Sequence, residues 1–149
     1  MSLKTYEQLL SRQPFVVQKR VRWADCDPAG VVYTGKFTEY LLLAVGYFFD
    51  ELGSGHYAKW LRDLGVDTPC KGMDLVFHAA LWPEDVFEMH GHVGEVRAHS
   101  YDFHVEARKS DGQAIFSGRF SPICIGRDVR QRVPMPVPMR DALSVWQKA

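Results

Sequence analysis

The sequence predicts an α+β domain in which one antiparallel sheet wraps one long helix. Three observations predict it. A segment rich in β-branched and aromatic residues, 15–24, comes first, and a long apolar segment with helical spacing follows it. After residue 66 the pattern changes to four strand-like runs separated by short turns, among them the hairpin turn Ser110-Asp-Gly112. Strands joined by short turns pair antiparallel, and an apolar helix needs a sheet to cover it, so a sheet around the helix is the compact solution.

The elements follow in chain order. The first strand covers 15–24, and Pro28 and Gly30 break the chain after it. A helix then starts near Thr34, a suitable N-cap residue, with Gly35 in its first turn. Phe37, Tyr40, Leu41, Ala44, Phe48 and Leu52 recur at three- and four-residue intervals and define one face. Leu42, Leu43, Val45 and Phe49 widen the apolar surface, which predicts a helix enclosed on several sides. Gly53 and Gly55 stop it, and a second short helix covers 56–64, ended by Gly65. Strands are expected over 72–82, 85–96, 100–108 and 113–125. Pro134, Pro136 and Pro138 form a stiff connector to a last helix over 139–147.

Composition narrows the function. The 149 residues suit one domain, 1–149, with no repeat or internal linker. Lysine plus arginine equals aspartate plus glutamate, 18 each, so no basic excess recruits a phosphate backbone and a nucleic-acid partner is not expected. Zero net charge favours self-association, and a homo-oligomer is expected. The longest apolar run, 40–49, is far short of the roughly 20 residues of a membrane span. The N-terminal stretch has no apolar core of a secretion signal, and Cys26, Cys70 and Cys124 are odd in number and widely spaced. A reducing, cytoplasmic setting is the expectation.

The informative stretch is Asp25-Cys-Asp27-Pro-Ala-Gly30-Val-Val-Tyr33. It places two carboxylates and a proline–glycine turn between a strand and the start of a helix. A carboxylate held there faces a substrate whose carbonyl points at the helix's free N–H groups, an arrangement suited to acyl chemistry.

This motif and the element order resemble the hotdog fold, and in particular the 4-hydroxybenzoyl-CoA thioesterase family. The family pattern is a strand ending in D-x-D-x-x-G-[IV]-V-[YW] before the central helix, and the resemblance extends over about 16–125. It implies that Asp27 is the catalytic carboxylate and that Asp25 shapes the loop. It implies that the N–H of Thr34 polarises a thioester carbonyl, with Gly30 and Tyr33 at the substrate. It also implies dimers or tetramers with each site at a subunit interface, an acyl-CoA substrate, and no metal or redox cofactor. The acyl group is left open between aromatic and short or medium aliphatic. Asp27 as nucleophile and Asp27 as general base both remain open. The competing readings are a hotdog enoyl-CoA hydratase or dehydratase, disfavoured because no histidine lies within 25–33, and a non-catalytic acyl-CoA-binding module.

Other reactive residues receive plainer readings. Cys26 lies between the acids and points away if Asp27 faces the site, so it packs. His90, His92, His104 and Glu106 share a sheet face with Glu88, Asp102 and Arg108, which reads as a solvated face rather than a metal site. His78, amid Val76, Phe77 and Ala79, reads as a core or interface histidine. Arg119, Arg127, Arg130 and Arg132 offer either a clamp on coenzyme A phosphates, with Arg127 and Arg130 the leading pair, or a polar surface. Trp23, Tyr33, Tyr47, Trp60 and Trp82 are core residues first, and only Tyr33 gains weight as a pocket residue from its place in the turn.

Overall fold

The computed structural model describes residues 5–148. Six strands form one antiparallel sheet in the order β1-β2-β5-β6-β7-β4. These are β1 (Glu7–Ser11), β2 (Phe15–Arg20), β4 (Cys70–Phe77), β5 (Val86–Val96), β6 (Tyr101–Arg108) and β7 (Ala114–Pro122). The central helix α1 (Thr34–Leu52) and the short α2 (Tyr57–Leu64) lie between β2 and β3 in the chain. The small strands β3 (Val66–Asp67) and β8 (Ile125–Gly126) pair separately, and α3 (Val137–Leu143) follows near the C-terminus.

The core sits between α1 and one face of the sheet. Phe37, Tyr40, Leu41, Ala44, Phe48 and Leu52 are all buried, so the helical spacing identified the inward face. Phe48 stacks on Phe103 of β6 at 4.1 Å between ring centres, and Phe15 and Trp146 meet Phe48 edge-on. Val45 is buried too, but Leu43 and Phe49 are half-buried and Leu42 is exposed. The helix is therefore covered by the sheet on one side and is not enclosed all round, because a single sheet shields one flank of a cylinder.

Several boundaries differ from the sequence reading for identifiable reasons. β1 carries too little apolar alternation to be seen; it is an edge strand held by its main-chain ladder to β2, with Leu9 packed on the core. β2 stops at Arg20, and a 3₁₀ turn over Trp23–Asp25 follows, in which the Asp25 carboxylate accepts the Arg22 N–H at 3.1 Å. The run 72–82 is not one strand. β4 ends at Phe77, and the apolar residues beyond it belong to a connector, 78–85, whose Leu81 plugs the core. The last helix starts at Val137 with proline in its first turn and tightens to a 3₁₀ turn over Ser144–Trp146.

Candidate active site

Residues 25–33 fold as a turn pinned at several points. Gly30 N–H donates to the Asp27 carbonyl and Asp27 N–H to the Val31 carbonyl, both at 2.9 Å. Gly30 has φ of +88°, which a residue with a β-carbon adopts only under strain. Val32 N–H donates to the Leu81 carbonyl at 2.9 Å, which ties the connector to the turn.

The two acids take different surroundings. Asp25 is 5% exposed, and its carboxylate accepts from the Tyr40 hydroxyl at 2.8 Å and the Arg22 N–H. Lys36 stands 3.7 Å from its other oxygen and is itself paired with Glu39 at 2.7 Å. Burial first, and then the bond to Asp25, push the Tyr40 hydroxyl far above its usual range, so it remains a proton donor. Asp25 is thus committed to holding the turn against α1. It also borders a small cavity of about 250 Å³ with Lys19, Lys36 and Tyr40. Asp27 does not border that cavity. It is half-buried, its Oδ1 accepts the Ala29 N–H at 2.9 Å, and among the described residues no side chain donates to Oδ2.

The helix begins where the turn ends, and the Tyr33 N–H just before it donates to the Asp25 carbonyl at 3.3 Å. Tyr33 is the N-cap residue and Thr34 the first helical residue, one position earlier than the sequence suggested. No described residue accepts from the Thr34 or Gly35 N–H, and such orphan donors carry the positive end of the helix dipole. The Tyr33 ring folds back over Gly35, where a β-carbon would lie 2.6 Å from it. Glycine at 35 is what lets that ring rest on the helix tip.

Tyr33, Phe77 and Trp82 are 45%, 49% and 53% exposed. Phe77 closes β4 and meets Phe37, in the first turn of α1, at 5.1 Å between ring centres. Trp82 is not the core residue expected: its ring edge comes within 3.7 Å of where a β-carbon on Gly30 would lie. Tyr47 and Trp60 pack on the core at half burial, and Trp23 is a surface residue.

The remaining candidates are placed as follows. Burial, then the charges of Asp25, Asp27 and Asp85, push the Cys26 thiol up, so a thiolate is disfavoured there. Arg127 and Arg130 come together, each 2.7 Å from one oxygen of Asp67. Arg119 instead faces Asp74 at 2.6 Å and binds Ser121 on the outer sheet face. His78 is exposed, not core, and bonds Ser117 at 2.9 Å. His92 and His104 stack at 5.1 Å on the partly solvated face. Among the described residues no group of three or more His, Cys, Asp or Glu is disposed to hold a metal ion. No described helix is long and apolar enough to cross a membrane.

Comparison with known proteins bears on the family and the fold. The model of the thioesterase-like superfamily matches residues 21–144. An Aquifex aeolicus (strain VF5) protein provisionally named an esterase is 28% identical over 98 residues, which is 66% of this chain and 75% of that protein. The crystal structure of a thioesterase-superfamily protein from Jannaschia sp. CCS1 is 27% identical, covering 95% of this chain and 99% of the other, with a TM-score of 0.80. A 1,4-dihydroxy-2-naphthoyl-CoA thioesterase from Synechocystis shares the fold at 22% identity and a TM-score of 0.73, covering 87% and 95% of the two chains.

Proposed function

The chain belongs to the thioesterase-like superfamily, has the hotdog fold of its structural relatives, and is a thioester hydrolase; from that premise we propose that it cleaves an acyl-CoA to the free acid and coenzyme A, using Asp27. The observation that carries this reading is the contrast between the two acids. Asp25 is bound up in the scaffold, whereas Asp27 keeps one oxygen without a described donor, in the turn that leads into a helix tip with unclaimed N–H groups.

The chemistry follows. A thioester carbonyl seated on the Thr34 N–H gathers negative charge on attack, and the helix tip stabilises it; one such donor is worth about 2.7–4 kcal/mol in other acyl-transfer enzymes. The Asp27 carboxylate either attacks the carbonyl carbon, expelling the thiolate and leaving a mixed anhydride for water to open, or takes a proton from the attacking water. Both routes end in the acid and the thiol, and neither requires a resident metal or redox cofactor. Gly30 gives the substrate a floor without a side chain, and Tyr33 borders the carbonyl. Arg127 and Arg130 supply guanidinium N–H groups beyond those facing Asp67, and we assign them to the coenzyme A phosphates.

The acyl group is aromatic or short to medium aliphatic. The Synechocystis relative acts on an aromatic acyl-CoA by its name. The working form is a homo-oligomer, a dimer or tetramer. β4 lies at the end of the sheet and leaves Met73, Val76 and Phe77 exposed along it, with Phe77 against Phe37 in the first turn of α1, so a second copy seated there completes the wall next to Asp27. A cytoplasmic setting suits three cysteines that the fold leaves unpaired.

The test is a hydrolysis panel over benzoyl-, hydroxybenzoyl-, acetyl- and hexanoyl-CoA, following release of the free thiol, with sedimentation to give the mass. Thiol release by an oligomer is expected. Water addition to an enoyl-CoA without thiol release, or tight binding of intact thioesters with no turnover, would overturn the assignment.

A further inference from the structure

We infer that the cavity at the Phe15 end of β2 is a binding site for a small organic carboxylate, separate from the turn 25–33. It encloses about 620 Å³, within the range of small-molecule pockets. β2 runs from Phe15 to Arg20 and the turn follows its Arg20 end, so about 17 Å of strand lies between the two. No described residue of the turn lines the cavity.

The chain topology makes this space. β2 begins at Phe15, opposite Gly91, so β5 runs on past it without that neighbour. The C-terminal segment takes up that side, where Val93 pairs with Gln147 in parallel. A gap is left between this segment and the chain just before Phe15, with His90 and His92 along it. Side chains lock both walls. The Trp146 indole N–H donates to the Arg12 carbonyl at 2.8 Å, the Gln13 amide to the Val145 carbonyl at 3.0 Å, and the Gln147 amide to the Gly94 carbonyl at 3.3 Å. The Trp146 ring is itself buried edge-on against Phe48. A prebuilt site of this kind spends little on ordering when a ligand enters.

Charge selects the ligand. Arg108 and Lys148 line the cavity as cations, and Glu106 is the one described carboxylate there. Glu106 already accepts the Ser117 hydroxyl at 2.7 Å. The Arg108 guanidinium donates to His90 Nδ1 at 3.4 Å and has no carboxylate partner among the described residues. A guanidinium cannot accept, so His90 Nδ1 is the acceptor; the ring carries its proton on Nε2, 3.2 Å from Glu88, and is uncharged. His92 is kept uncharged as well: burial first, then Lys148 and the stacked His104, lower its pKa against the weaker pull of Glu106. Two cations against one carboxylate leave a single positive charge, which matches a monoanion better than a phosphate dianion. A guanidinium takes a carboxylate through two parallel N–H bonds. The exposed Pro14 and Val145 supply apolar lining, and the space is far larger than an inorganic ion. A carboxylate on an apolar body satisfies both.

The test is an NMR titration of the full chain with benzoate and hexanoate, with their uncharged amides benzamide and hexanamide, and with inorganic phosphate. It reads the backbone amides of Gly91 and Gln147 against those of Gly30 and Gly35. Both acids are expected to shift Gly91 and Gln147 saturably and to bind at least about ten-fold more tightly than their amides. Arg108→Gln is expected to weaken the acids about ten-fold, and Arg108→Lys, which keeps the charge without the fork, by less. Thermal melting checks the fold. Arg108 is exposed, and if its variant melts early, Lys148→Gln gives the same comparison with a loss of about three-fold. Shifts confined to Gly30 and Gly35 would place the acid at the turn alone and overturn the inference. So would equal binding of acid and amide, acid binding untouched by Arg108→Gln, or phosphate binding as tightly as the acids. Asp27→Asn leaves this cavity unaltered, so binding here and turnover at the turn succeed or fail separately.

Discussion

Replacing Asp27 by asparagine, beside the same change at Asp25, separates chemistry from scaffold. The asparagine Oδ1 still accepts the Ala29 N–H, and no described donor loses a partner at the other position. A bond to a charged acceptor becomes a neutral one, which costs about 1 kcal/mol. For a chain of this size that moves Tm by about 2–4 °C. The reaction loses its carboxylate, and positioned acids and bases contribute about 10²–10⁴-fold. At Asp25 the balance reverses. Its carboxylate is almost fully buried and takes the Tyr40 hydroxyl, the Arg22 N–H and the Lys36 charge. An amide NH₂ there faces one of these donors with another donor, at a cost of about 1–3 kcal/mol, or roughly 3–10 °C in Tm. Thiol release at saturating benzoyl-CoA, paired with thermal melting, reads both effects. Asp27→Asn should lose at least about 100-fold in kcat with a near-native Tm, and Asp25→Asn should lose mainly Tm. An Asp27→Asn enzyme retaining more than about a tenth of kcat would refute the reasoning, since no general-base or nucleophilic role leaves that much.

Tyr40→Phe removes one donor to a buried carboxylate and should lower stability by about 1–2 kcal/mol in urea titration, with far less effect on turnover than Asp27→Asn. Gly35→Ala drives a methyl group into the Tyr33 ring; displacement of that ring should cut kcat/KM about ten-fold or more while Tm stays within a few degrees. Asp102 tests the pH dependence of the fold. The Arg97 guanidinium, bonded to it at 2.7 and 3.0 Å, and then Ser121 hold its carboxyl well below the usual carboxylate range. The unfolded chain therefore binds this proton more readily, so the contribution is complete above an unfolded pKa of about 3.9 and drains away as pH falls below it. Asp102→Asn should lose about 3 kcal/mol at pH 7 and show a flatter urea-midpoint profile than wild type between pH 5 and pH 2.

The central helix was legible because its inward face repeats every three to four residues and is bounded by Thr34 and Gly53. The strands from β5 onward were legible because they alternate and turn on short polar loops. The turn 25–33 was legible as a turn because proline and glycine break the chain between a strand and a helix. What escaped has one cause: it depends on contacts distant in sequence. Tyr40 reaches Asp25 from fifteen positions away, and nothing local to either announces it. Leu81 and Trp82 look like more of a strand, since only the fold shows one going into the core and the other onto Gly30. The late arginines carry the same ambiguity; charge alone did not predict that Arg127 and Arg130 would share Asp67 while Arg119 turned to Asp74.

The connector 78–85 braces the turn 25–33 through the bond from Val32 N–H to the Leu81 carbonyl. β4 and β5 are neighbours in the chain but not in the sheet, so the chain must cross from the edge beside β7 to the strand beside β2. It crosses over the helix tip. His78 N–H is taken by Ile115 at one end and Glu84 N–H by Val21 at the other, with Val32 bonded to Leu81 between them. The crossing thus fixes three things at once: Phe77 on the end strand of the sheet, Trp82 over Gly30, and the turn that carries Asp27. Shifting any of the three shifts the others, because they share one short run of backbone. The sheet's own connectivity therefore holds in place the turn that carries Asp27.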